Sequence, residues 1–438
     1  MGATDDNVTE DTVTEHGIAE DGTAVLDVEA PHALTEPAPR TRALTVIDTR
    51  EAYLEAVDVI AAGHGPIAVD AERASGFKFS QRAYLIQLYR RGAGSFLFDP
   101  PAIGSFSELN DAIARDEWIL HAASQDLACL REVGLDPRVI FDTELAARLL
   151  GIPRVGLGSV VEEFLGIHLK KEHSAADWSR RPLPESWLEY AALDVELLPD
   201  LRDKLAELLI ENSKAVIAAQ EFEATRAKEP KPVAAEPWRR LTGVHSLRNP
   251  RNVAVARSLW LARDALAREI DVSPGRLVPD ASLVAAARVL PESKRELAAL
   301  REFSGRASRT EIDRWWAALE EGKAATDLPA HRRNEDTLPP PRSWADRNPE
   351  ADSRLKAARS ALAELSEFVN IPVENLLTPE ILRRIAWTPP EPVTAEAISS
   401  SLAALGARPW QRELTAQPIA QGFVDARQKA ENEPEASS

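Results

Sequence analysis

Between residues 43 and 215, short apolar runs alternate with amphipathic helical stretches, and that alternation limits the fold more than any other feature. Pro66-Ile-Ala-Val-Asp70, Ala83-Tyr-Leu-Ile-Gln-Leu-Tyr89, Ser95-Phe-Leu-Phe98 and Trp118-Ile-Leu-His121 read as strands, rich in β-branched, apolar and aromatic residues and separated by helical patterns. Strands and helices mixed in this way bury their apolar faces as layers, so an α/β domain is expected there.

Two Pro-containing stretches, at residues 216–237 and 323–343, read as linkers. They set off two helical pieces, 238–322 and 344–428, that resemble each other. Leu355, Ala358, Leu362, Leu365 and Val369 recur at helical spacing before Ile371-Pro372-Val373, and Val255, Leu259, Ala262, Leu266 and Ile270 stand in the same way before Val272-Ser273-Pro274. A duplicated small helical domain is the expectation. No apolar run approaches the ~20 residues that cross a bilayer, and no signal peptide is legible. The single cysteine, Cys129, excludes an intramolecular disulfide framework, and no Cys/His cluster has zinc spacing. A soluble cytoplasmic chain without membrane contact or obligate protein partner is expected.

Asp70 and Glu72 end an apolar strand two residues apart, and the strand period of two turns both carboxylates to one face. Alone this means little, since 70 acids among 438 residues produce about ten acid-x-acid triplets by chance. The setting raises it, because the strand runs into the polar, Gly-containing stretch Arg73-Ala-Ser-Gly-Phe-Lys-Phe79. A helix expected to begin near Ser124 puts Asp126 in its first turn, where the dipole favours an anion with or without a further role. Tyr190 and Asp194 lie four apart in a helical stretch and share one face. Four converging carboxylates would raise one another's pKa values unless a cation neutralised them. An all-oxygen donor set suits Mg²⁺ or Mn²⁺ rather than zinc. Two such ions about 3.5–4 Å apart form the clamp used in phosphodiester hydrolysis, and Tyr190 would position the attacking water or help deprotonate it.

Asp70-x-Glu72, His121 to Asp126 and Tyr190-x-x-x-Asp194, in that order, resemble the three motifs of the DEDDy 3′-5′ exonuclease superfamily, and of its ribonuclease D family in particular. Tyr84-Leu-Ile-Gln-Leu88, the run Phe141 to Gly151, and the stretch Lys171 through Asp177-Trp178-Ser179-x-Arg181-Pro182-Leu183 extend the likeness across about residues 43 to 215. Tyrosine at 190, where a sister branch has histidine, points to the tyrosine branch. The resemblance implies a ribonuclease-H-like fold with a mixed central sheet. It implies Asp70, Glu72, Asp126 and Asp194 as ligands of two divalent ions, Mg²⁺ or Mn²⁺, with Tyr190 on the attacking water. It also implies RNA with a free 3′ end, such as tRNA precursors, as substrate, and nucleoside 5′-monophosphates as products. Residues 238–309 resemble the HRDC domain shared by such enzymes and RecQ-type helicases, and a second HRDC-like domain would account for the repeat.

The net charge of −18 at first argues against a nucleic-acid partner. Its distribution reverses that reading. Residues 1–42 and 429–438 are expected to be disordered acidic tails, and without their thirteen acids the balance of residues 37–430 is −5. Between Arg226 and Arg276, eleven basic residues face five acids, a phosphate-binding footprint in which Arg239, Arg240, Arg248 and Arg251 are candidate contacts. Lys171 and Arg181, with Lys170 and Arg180, read equally as guides for the 3′ strand or as exposed loop charges. Trp260, Trp315, Trp316 and Trp344 are expected in the helical cores rather than as base-stacking platforms. Cys129 reads as a small buried residue, not a nucleophile. Two other functions remain open from sequence: a DNA exonuclease, and a binding scaffold with an idle exonuclease fold.

Overall fold

The computed structural model describes residues 44–432 except 170–172, 174, 230, 231, 233, 304 and 331–337. Residues 1–42 of the expected acidic tail lie outside it, as does Lys171. The last helix, Pro409–Asn432, takes in 429–432, which were expected in the C-terminal tail; 433–438 lie outside the described residues.

The first piece is built on one six-stranded sheet: β1 (Val46–Ile47), β2 (His64–Arg73), β3 (Ala83–Arg91), β4 (Gly94–Phe98), β5 (Glu117–Leu120) and β6 (Val139–Asp142), in the order β1-β4-β3-β2-β5-β6. The sheet is mixed: β2, β3 and β4 pair antiparallel, while β5 runs parallel to β2 and to β6. The outermost strands, β1 and β6, are two and four residues long, too short to show a pattern in the sequence. Ile67, Ala68 and Val69 of β2 are all buried, the continuous burial expected of a strand covered on both faces. One face packs the helices Arg50–Ala62 and Leu198–Glu211, through Tyr53, Ile60, Leu201 and Leu205. The other packs helix Glu185–Glu196 and Trp178, through Leu188, Ala191 and Ala192.

The two helical pieces follow one plan. Helix Pro250–Glu269, a short turn Pro274–Leu277 and helix Asp280–Val289 correspond to Pro349–Val369, Val373–Leu376 and Pro379–Trp387. Asn249 and Asn348 cap the two long helices, each followed by proline, which suits the first helical position because its missing N–H would be unpaired there anyway. Helix Ile312–Ala324 approaches Pro250–Glu269 so closely that a Cβ at Gly322 would lie 2.5 Å from the Val255 Cα, so only glycine fits. Trp315 and Trp344 are fully buried, and Trp260 and Trp316 pack against the first helical core.

Both helical pieces dock on the sheet domain, at different places. The first grips the 74–82 loop that follows β2. Asp271 accepts from Ser80 N (2.8 Å) and the Tyr84 hydroxyl (3.1 Å), and the Arg276 Nε donates to Gly76 O (2.7 Å) while its guanidinium stacks on Phe77. The second docks through Trp410, whose indole donates to Glu221 (2.7 Å), and through Arg408, paired with the same carboxylate. Lys214 donates to Leu149 O and Asn370 O across this seam.

Candidate active site

β2 delivers Asp70 and Glu72 to the same face, and helix Glu185–Glu196, lying across β2, β3 and β4, brings Asp194 opposite them. One carboxylate oxygen from each of Asp70, Glu72 and Asp194 lies within 4.8 Å of the others. Asp126 lines the same cavity, near enough to Asp70 for the two carboxylates to act on each other. Its local setting differs from the expected first turn: a short 3-10 turn, Ala123–Gln125, comes first, and Asp126 stands at the cap of helix Leu127–Glu132 without capping it through its side chain. The carboxylate is therefore left for the cavity rather than spent on backbone amides.

These groups form the wall of a cavity of about 610 Å³ that Tyr190, His121, Arg73 and the start of helix Leu157–Leu165 also line. Burial pushes the Glu72 carboxyl up to about 10, with the Asp70, Asp194 and Asp126 charges adding to it. Burial likewise holds Asp70, Asp126 and Asp194 above the usual carboxylate range. Carboxylates crowded and buried in this way favour protonation unless a cation shares their charge. The donors are all hard oxygens, and Asp70, Glu72 and Asp194 are close enough to share an ion, so the residues present fit Mg²⁺ or Mn²⁺.

Tyr190 lies one turn before Asp194 on the same helix, near enough for the phenol and the carboxylate to act on each other. Burial first, then the Asp194 and Glu72 charges, raise its phenol well above the usual tyrosine range. The group keeps its proton at neutral pH, which suits it to orienting a water rather than deprotonating it. Burial pushes His121 down to about 4, and its Nδ1 meets the Thr143 hydroxyl at 2.9 Å, so a neutral imidazole faces the cavity. Cys129 is buried and its thiol is pushed up to about 12, primarily by burial, which excludes a thiolate nucleophile.

Supporting residues escaped assignment from sequence. Gln87, fully buried on β3 opposite Asp70, donates to Asp70 Oδ2 (3.1 Å) and fixes that carboxylate. Its only sequence signal was its place in the Tyr84-Leu-Ile-Gln-Leu88 run. Asp142, at the end of β6, accepts from Ala122 N and Ala123 N on the loop leading to Asp126, and from Glu144 N and Leu145 N of the following helix. It braces the Asp126 loop, where Ala122 has φ of 62°.

The basic candidates separate once their partners are visible. Arg181 pairs with Asp99 (2.5 Å) and donates to Trp178 O and Tyr84 O, so it pins the 177–183 loop to the sheet instead of reaching into solvent. Arg239 pairs with Glu236 and Arg251 bonds Ala325 O. Of the same basic stretch, Arg257 pairs with Asp327, Arg263 is buried on Asp280, and Arg268 and Arg276 lie on Phe79 and Phe77. Arg240 and Arg248 are exposed and have no partner among the described residues.

A family model described as 3′-5′ exonuclease matches residues 44–210, one described as HRDC domain matches 252–319, and one described as 3′ to 5′ exonuclease C-terminal domain matches 337–423. The chain is 34% identical to the ribonuclease D of Escherichia coli over 339 residues, 76% of this chain and 86% of that one. It is 32% identical to the ribonuclease D of Pseudomonas paraeruginosa, over 73% of this chain and 83% of that one. Among solved structures, a protein from Bifidobacterium adolescentis superimposes with a TM-score of 0.81 at 36% identity, covering 88% of this chain and 98% of its own. The structure of Escherichia coli RNase D, described as an exoribonuclease involved in structured RNA processing, gives 0.62 at 29% identity, covering 83% and 98%.

Proposed function

The chain belongs to the ribonuclease D family, and on that premise we propose that this 3′-5′ exonuclease trims the 3′ ends of stable RNA such as tRNA precursors, releasing nucleoside 5′-monophosphates with the help of two divalent ions. The observation that carries the reading is the meeting of Asp70, Glu72 and Asp194 within 4.8 Å, with Asp126 on the wall of the same cavity, which is large enough for a terminal nucleotide. When bound there, Mg²⁺ or Mn²⁺ would acidify water and stabilise charge on the leaving oxygen.

The chain's own residues do the rest. Asp70, Glu72, Asp126 and Asp194 are the ligands. Gln87 holds Asp70 in one rotamer, and outer contacts of this kind preserve ligand geometry. Tyr190, kept protonated, holds the attacking water in line. Arg240 and Arg248 are exposed cations at the head of the helical piece, available to the RNA backbone, and Lys171, near the third motif, belongs with them by sequence.

The test is Mg²⁺-dependent digestion of matched structured RNA, unstructured RNA and DNA with free 3′ ends, by wild type and Asp70→Asn. The wild type is expected to release 5′-mononucleotides from RNA, and Asp70→Asn to lose at least about a hundredfold in rate. Equal digestion of DNA and RNA would replace the RNA reading with a DNA exonuclease. Unchanged trimming by Asp70→Asn would remove the carboxylate site from the mechanism.

A further inference from the structure

Arg73 leaves β2 one residue after Glu72. Simple alternation would send its side chain to the face opposite Asp70 and Glu72. The pairing of β2 with β3 slips at this point, from Glu72 opposite Leu85 to Arg73 opposite Ala83. The extra residue, Tyr84, stands on β3, so the regular ladder ends where Arg73 leaves β2. Arg73 lines the same cavity as the acids, with its Nη2 4.0 Å from Asp126 Oδ1.

That separation is too long for a hydrogen bond, and the Arg73 guanidinium donates none to the described residues. Other half-buried or buried arginines of this domain are spent on the fold: Arg90 on Ile60 O and Asp116, Arg181 on Asp99 and Tyr84 O, Arg202 on Glu117. Arg73 is also the only lysine or arginine among the described residues that line the cavity, and His121 beside it is neutral. A strong donor fork is therefore held at the cavity wall with no hydrogen-bond partner among the described residues.

We propose that Arg73 is a substrate-binding catalytic residue, gripping non-bridging oxygens of the phosphodiester to be cut. The inference rests on the exonuclease reading of the same cavity. An RNA end brings negative charge into a site built from four carboxylates, and a cation not used as a metal ligand offsets that repulsion. The planar guanidinium fork matches two phosphate oxygens at once, which an ammonium cannot do. As charge on those oxygens grows during displacement, a fork already aimed at them stabilises the transition state without reorganising. The competing role is a counter-ion for Asp126 alone.

The experiment compares equilibrium binding of adenosine 5′-monophosphate and adenosine to wild type, Arg73→Ala and Arg73→Lys with saturating Mn²⁺, alongside the Mn²⁺-induced rise in melting temperature. Arg73→Ala is expected to weaken the monophosphate at least about tenfold and leave adenosine unchanged, because only the monophosphate carries the scissile phosphate. Arg73→Lys is expected to fall between the two, and all three proteins should keep the Mn²⁺ shift. Equal effects on both ligands, or none on either, overturn the phosphate contact. Loss of the Mn²⁺ shift in Arg73→Ala with unchanged monophosphate preference assigns Arg73 to the carboxylates instead. Wild-type digestion of RNA reports on the exonuclease reading separately, so failure of one is not failure of the other.

Discussion

At the scale of single residues, the site's behaviour follows from burying acids beside acids. Glu72 has a folded-state pKa pushed to about 10 from an ordinary 4.5, and Asp70, Asp126 and Asp194 move in the same direction. A raised carboxyl pKa means that the folded chain holds more protons than the unfolded one, so stability falls as pH rises from the ordinary carboxylate range toward the folded value. His121 acts with the opposite sign: lowered from 6.5 to about 4, it costs stability as pH falls below 6.5, and it is silent above that. Between about pH 7 and 9 the metal-free protein should therefore lose melting temperature. Mn²⁺ should restore more of it at the upper end, because binding releases the protons that burial retains. Thermal melts with chelator and with Mn²⁺ at several pH values check this; parallel curves would show that the four acids do not share a cation.

At the scale of elements, strands and helices act as levers that carry acids to one place. β2 supplies two of them by its period of two, and helix Glu185–Glu196 supplies Asp194, with Tyr190 four residues before it and so on the same face. The Asp126 loop has no such regular support and relies on Asp142, which ties it to β6 and to the next helix through four backbone amides. Asp142→Ala should cost about 2–4 kcal/mol, since it removes a helix cap and strands buried N–H groups. It should also weaken Mn²⁺ binding, read from the metal-dependent shift in melting temperature, although Asp142 ligates nothing. A variant that loses stability but keeps the full Mn²⁺ shift would show that the loop holds Asp126 without this brace. The strands around Asp70 and Asp126 were legible because apolar runs end abruptly in polar ones. β6, with its exposed Val139 and only four residues, was not, although Phe141-Asp142 lay in a motif already noticed.

At the scale of the whole molecule, three pieces are held by contacts between residues far apart in sequence. The first helical piece fastens the loop after β2, which carries Ser75 and Gly76 of the cavity wall, through Asp271 and Arg276. The second is joined through Glu221, which is buried and serves both Arg408 and the Trp410 indole. Removing one partner of a buried pair leaves the other uncompensated, so Glu221→Ala should destabilise by about 3–5 kcal/mol. The second helical piece should then undock, visible as faster amide exchange at the Trp410 seam before the sheet domain exchanges; unchanged exchange there would show that apolar packing alone suffices. The arginines counted as a phosphate footprint illustrate the same point. Arg257 meets Asp327 and Arg251 meets Ala325 O, partners seventy and seventy-four residues away that a local charge balance does not include.

Strand and helix periods in the sequence by themselves pointed to the α/β class and the helical repeat, and set Asp70 with Glu72 and Tyr190 with Asp194 on shared faces, because a spacing of two or four residues already chooses a face; the full set of five proposed site positions, Asp126 included, came from the resemblance of the motifs. Tertiary structure decided which cations are free and which are structural, and which face Arg73 presents. Those outcomes depend on strand register and on partners brought together from distant parts of the chain. A charge becomes available to a ligand only when the fold leaves it without a partner, and that balance is settled by packing in three dimensions.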